Sequence, residues 1–174
     1  IAINPENDNA LTNLGVVLNE LGKINEGEKI LKKALKINPT SSLTLNNLGN
    51  ILIKKNNLQD AEVCFRKAIE LKPNYSEAFN NSGNTFNDIG NIEEAIRNYK
   101  KAIQLNPNYL DAYLNIGTCY QELKNYNEAK KNYLKVKEID PYYNLINGKI
   151  LHLNMNNCNW ETFDDEKKII ESSI

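Results

Sequence analysis

Apolar residues recur along the chain at spacings of three and four in stretches of about a dozen residues, separated by short polar breaks, which is the pattern of successive amphipathic helices. The breaks are of two alternating kinds. One contains proline: Pro5, Pro39, Pro73, Pro107 and Pro141 follow one another at intervals of 34 residues without insertion or deletion. The other carries Gly22-Lys23, Asn56-Asn57, Gly90-Asn91 or Lys124-Asn125, mostly residues that tolerate the left-handed conformation common at helix C-termini. Acidic residues follow it at Glu26, Asp60, Glu93, Glu94 and Glu128, where a helix N-terminus favours negative charge. Each 34-residue unit therefore predicts two helices, the second stopped by its proline.

Taking each proline as position 32 gives units at 8–41, 42–75, 76–109 and 110–143, with the tail of an earlier unit at 1–7 and a divergent segment at 144–174. Position 8 is Gly15, Gly49, Gly83 and Gly117; position 20 is Gly27, Ala61, Ala95 and Ala129; position 27 is Ala34, Ala68, Ala102 and Val136. Small residues there let two helix backbones approach closely. Large residues at positions 4, 11 and 24, among them Leu11, Leu52, Phe65, Tyr99 and Tyr133, fill the space around them.

This pattern resembles the tetratricopeptide repeat over residues 1–143. The resemblance implies an all-α, right-handed superhelical solenoid of helix-turn-helix units, whose first helices line the concave side. No unit can bury both faces alone, so stacking is required.

Position 6 is Asn13, Asn47, Asn81 and Asn115, an Asn in every complete unit that packing does not demand. The helical wheel turns it toward the concave groove. Two readings follow. The amides could bond to neighbouring helices across the groove. Alternatively they form a peptide-binding ladder, since each primary amide has both a donor and an acceptor and can bond bidentately to the peptide group of an extended chain whatever its side chains. Asn46, Asn50, Asn80, Asn84 and Asp88 lie on the same inner face and could add polar contacts. A coding bias toward Asn, which occurs 31 times, weakens the inference for these secondary positions. A clamp for a C-terminal carboxylate would need basic residues on first helices, and none occurs there before Lys54.

Lys plus Arg and Asp plus Glu nearly cancel, 21 against 22, and are interspersed along the chain, which gives no sign of nucleic acid or an anionic membrane as partner. No apolar run approaches the length of a membrane span, and residue 1 opens no signal peptide, so a cytoplasmic or nuclear location is expected. Cys64, Cys119 and Cys158 with one His have the spacing of neither a disulfide framework nor a zinc site, and no metal site is expected. His152 lacks a paired carboxylate or nucleophile at motif spacing, which favours a packing role over catalysis.

After Pro141 the period fades into NGKILHLNMNNCNWETFDDEKKIIESS. Leu151, His152, Met155, Cys158, Trp160, Phe163 and Asp164 resemble the segment joining repeats to catalytic half in the O-linked N-acetylglucosamine transferase and Spindly family, with Asn159 in place of an Asp. That family's repeats also carry an inward Asn at position 6. The resemblance implies a substrate-recognition arm, binding extended protein or peptide substrates, of an intracellular enzyme that transfers N-acetylglucosamine or fucose to Ser or Thr. UDP-N-acetylglucosamine or GDP-fucose would be the donor of that parent. No catalytic residue and no cofactor site fall in the present residues, and because the chain opens in mid-repeat at Ile1, an inactive fragment is expected. Two such arms could pair as a homodimer. Trp160 and Phe163 are expected to cap the exposed apolar end of the solenoid. A free-standing adaptor for protein–protein interaction is the alternative reading.

Overall fold

The computed structural model describes residues 7–156, and among them every regular element is helical. Four helix pairs follow one another: α1 (Asp8–Glu20) with α2 (Ile24–Ile37), α3 (Ser42–Lys54) with α4 (Leu58–Leu71), α5 (Ser76–Asp88) with α6 (Ile92–Leu105), and α7 (Leu110–Glu122) with α8 (Tyr126–Ile139). A ninth helix, α9 (Ile146–Asn156), follows. Each second helix packs between the first helix of its own unit and that of the next, while α1, α3, α5 and α7 touch in sequence along one side. The result is the tetratricopeptide-type solenoid, with the first helices on the concave face.

The turn chemistry explains why the chain folds back after each helix. Gly22, Asn56, Gly90 and Lys124 all adopt left-handed backbone, with φ of 76°, 57°, 87° and 57°. The amide of the following residue then reaches back to close the helix end: Lys23 to the Leu18 carbonyl at 2.8 Å, Asn57 to Leu52 at 2.9 Å, Asn91 to Phe86 at 2.8 Å and Asn125 to Tyr120 at 2.8 Å. At the other break the residue before each proline is forced out of the helical region. Asn38, Lys72, Asn106 and Asp140 have φ between −128° and −136° with ψ between 85° and 94°.

Close packing inside each unit rests on the position-8 glycine. A Cβ on Gly15, Gly49 or Gly83 would meet the side chain of Leu31, Phe65 or Tyr99 at 2.5–2.6 Å, and one on Gly117 would meet Tyr133. These four large partners are buried. Positions 4 and 11 fill less completely toward the C-terminal units, where Phe79, Phe86, Tyr113 and Tyr120 are half-buried. Val136, the departure from the usual small residue, is fully buried and packs in one cluster with Ala129, Tyr133 and the α9 residues Ile146, Ile150 and Leu153. The divergent helix α9 thus covers the apolar edge of the fourth pair. Trp160 and Phe163 lie outside the described residues.

Candidate functional site

Adjacent first helices are joined by side-chain amides in a repeated arrangement. Asn81 on α5 donates through Nδ2 to Oδ1 of Asn46 on α3 at 3.0 Å. One unit on, Asn115 on α7 donates through Nδ2 to Oδ1 of Asn80 at 3.3 Å and of Asn84 at 3.0 Å, both on α5. Position 6 of one unit therefore bonds position 5 of the unit before. Asn46 and Asn80 are buried, at 0% and 5% exposure, and Asn46 also donates to Glu77 Oε1 at 2.9 Å. This burial corrects their expected place as contact residues: a side chain sealed between helices and committed to its neighbours is not open to a ligand in the groove.

The same rule explains why Asn47 remains unpaired. The position-5 residue facing Asn47 is Thr12, whose hydroxyl bonds the Thr44 hydroxyl at 2.7 Å instead. Asn47 is half-buried and makes no hydrogen bond among the described residues, and exposed Asn13 makes none either. The four rungs thus differ in what they can offer. Asn13 and Asn47 keep whole amides, Asn81 keeps its carbonyl oxygen and one amide hydrogen, and Asn115 has both hydrogens engaged and keeps only its oxygen. Asn50 is half-buried on the same face; Asn84 accepts from Asn115 and from the Tyr99 hydroxyl at 2.9 Å, and Asp88 is exposed.

The tyrosines around this row stay protonated across the physiological range. Burial, helped by the Glu77 carboxylate, pushes Tyr75 up to about 12, and burial with Glu77 and Asp111 does the same to Tyr109. Tyr99 is raised for the same first reason, so its hydroxyl remains a donor to Asn84. Cys64 and Cys119 are pushed up to about 11, chiefly by burial, which leaves both thiols unreactive at neutral pH.

Sequence reasoning missed a second use of Asn. Asn57, Asn91 and Asn125 cap α4, α6 and α8 by accepting from the backbone amides of Asp60, Glu94 and Glu128. The signal was an Asn followed three residues later by an acid in each case, the spacing of a capping box. His152 on α9 is exposed, with Nδ1 3.5 Å from Gln121 Nε2. Among the described residues no group of His, Cys, Asp and Glu could hold a metal, and no helix is long and apolar enough to cross a membrane.

This architecture and its polar inner row define a repeat protein of the helix-turn-helix solenoid class. Family models described as Tetratricopeptide repeat match residues 8–41, 42–75, 64–97 and 110–143, and one described as TPR repeat matches 83–124. The chain belongs to the tetratricopeptide repeat family. Among solved structures it is similar to MamA at 25% identity, with 90% of each chain covered and a TM-score of 0.79. It is also similar to Pseudomonas aeruginosa PilF at 20% identity, over 95% of this chain and 75% of that one, with a TM-score of 0.86. YrrB, described as a TPR protein with an unusual peptide-binding site, matches at 20% identity over 94% of this chain and 84% of its own, with a TM-score of 0.73. No curated protein matches in sequence. A protein- or peptide-binding scaffold is the role these findings support.

Proposed function

We propose that the groove lined by α1, α3, α5 and α7 holds an extended peptide by its backbone, with Asn13, Asn47, Asn81 and Asn115 as rungs, and that the chain serves as the substrate-recognition arm of an intracellular protein O-glycosyltransferase. The observation that carries the peptide reading is the unpaired amide of Asn47 beside the oxygens of Asn81 and Asn115, which are left open on the same side of three consecutive first helices. Neighbouring helix axes lie roughly 10 Å apart, so successive rungs meet peptide groups about three residues apart in a strand that rises about 3.3 Å per residue. Contacts to backbone alone make the grip indifferent to sequence. At a net of about 1 kcal/mol per hydrogen bond, several rungs are needed for useful affinity. YrrB, a similar solenoid described as binding peptide, is consistent with this use of the fold.

The enzyme assignment rests on the junction-like residues Leu151, His152 and Met155 on α9, together with Cys158, Trp160, Phe163 and Asp164 beyond the described residues. The second reading is a free-standing adaptor, favoured by MamA, a solved chain that matches this one over 90% of both lengths. Incubating the full-length parent with radiolabelled UDP-N-acetylglucosamine and GDP-fucose in cell extract separates the two. Label on proteins, lost when residues 8–143 are deleted, supports the glycosyltransferase arm. Absence of label with peptide binding intact establishes the adaptor.

A further inference from the structure

Position 7 of the repeat is Leu14, Leu48, Ser82 and Ile116, so one unit has a small hydroxyl where the other three have a large apolar side chain. Leu48 and Ile116 are buried in the apolar clusters beside α4 and α6. Ser82 is as deeply buried, at 4% exposure, yet it is too small to fill the same space. A cleft of about 360 Å³ opens there on the outer side of the solenoid, with α5 as its floor and the second helices α4 and α6 as its walls.

Phe79, Ser82 and Phe86 follow one another at spacings of three and four, so they form one stripe along this floor, two half-buried rings with the hydroxyl between them. Among the described residues no fully enclosed side-chain oxygen or nitrogen lacks a hydrogen-bond partner, so the Ser82 hydroxyl, which has none, must reach the cleft. On the α6 wall Asn98 commits one amide hydrogen to the Glu94 carbonyl at 2.9 Å and keeps its side-chain oxygen as an acceptor. One unit on, the same place is closed twice over: Ile116 stands at the Ser82 position, and Lys100 on α6 reaches the Tyr120 hydroxyl on α7 at 3.3 Å. Arg66 holds the repeat position of Lys100 but is drawn along α4 by Glu62 at 3.2 Å and Glu70 at 3.8 Å, and it makes no such bridge to α5.

We infer that this cleft receives a tyrosine side chain of a protein partner, presented with Lys or Arg beside it. The volume suits a single aromatic side chain and excludes a helix, which is about 10 Å across. A ring entering between Phe79 and Phe86 gains aromatic contacts. Its tip then meets a hydroxyl and an amide oxygen. A phenol can accept from Ser82 and donate to Asn98, whereas an indole N–H only donates and a phenylalanine ring does neither. An acidic neighbour would meet Glu62, Glu70 and Glu94 against the single Arg66 guanidinium, and a basic neighbour is attracted by them. The site lies on the side away from the amide row and does not depend on it.

The test titrates the chain with the capped peptide Ser-Lys-Tyr-Lys-Ser and its Phe and Ala counterparts at millimolar concentration, followed by shifts of backbone amide resonances in NMR. The Tyr peptide is expected to shift the amides of Ile69, Phe79, Ser82 and Phe86, and to bind about fivefold tighter than the Phe peptide, the worth of one neutral hydrogen bond. The Ala peptide is expected to leave them unmoved. Ser82→Ala keeps the cleft open without the hydroxyl, so the Tyr to Phe ratio falls toward one. Ser82→Leu restores the residue type of the other units and fills the cleft; both aromatic peptides are expected to lose binding while the melting temperature stays at or above that of the parent. Circular dichroism checks each fold, and the Ser82→Ala ratio stands without the Leu variant. Asn47→Ala is expected to change none of these shifts. Three results would overturn the inference: no shift in the cleft, shifts confined to the concave face, or a Tyr to Phe ratio that Ser82→Ala leaves unchanged.

Discussion

Asn81 Nδ2 donates to Asn46 Oδ1 at 3.0 Å, linking α5 to α3 across 35 positions of sequence. The bond divides two adjacent Asn residues between two tasks. Asn46 is buried and holds the units together, while its neighbour Asn47 is half-buried and carries an unpaired amide. Replacing one should affect stability and replacing the other should affect binding.

Asn46→Ala removes a buried amide and strands Glu77 and Asn81, so it is expected to lower unfolding free energy by about 1–3 kcal/mol. Asn47→Ala is expected to stay within about 0.5 kcal/mol of the parent. Urea denaturation followed by circular dichroism checks both. Equal losses at the two positions would assign the whole Asn row to structure.

Lys124 holds φ of 57° at a turn where two of the other three units have Gly. Lys124→Gly relieves that conformation and is expected to stabilise by about 0.5–1 kcal/mol, whereas Asn56→Gly gains less because Asn tolerates the left-handed region. Thermal melting of the two single variants decides; a loss at Lys124 would show that its side chain contributes contacts outweighing the backbone strain.

Glu28 bridges Lys32 on its own helix and Lys55 at the end of α3, each at 2.6 Å. Hydrogen bonds from Lys32 and then Lys55 hold its carboxyl below the ordinary value of 4.5. A depressed folded-state pKa contributes stability that is full above the unfolded value and is lost as pH falls through the folded one. Glu28→Gln should therefore lower stability at pH 7 and lose less than the parent on acidification below pH 4.5. Parallel acid limbs for parent and variant would show that the bridge contributes nothing.

Much of this fold is legible in sequence because its determinants are local and periodic. The proline interval, the small residues Gly83 and Ala95, and the left-handed turn at Gly90 each act within one unit, so a one-dimensional pattern is sufficient. The site is only partly legible. Asn13, Asn47, Asn81 and Asn115 look equivalent as letters, yet their pairing depends on position 5 of the preceding unit, which is Thr12 for Asn47 and Asn46 for Asn81. Charge is hidden for a related reason: α1, α5 and α7 are acidic and α2, α6 and α8 basic, with only the α3–α4 pair reversed, so averaging over sequence cancels what the solenoid separates.

The most direct test of the backbone-binding claim is the affinity of several unrelated extended peptides, of matched charge, for the parent and for Asn47→Ala. Loss of its hydrogen bonds at about 1 kcal/mol each predicts weakening of roughly fivefold or more for every peptide, with melting unchanged. Unchanged affinity, or a loss confined to one sequence, would contradict a groove that grips the main chain.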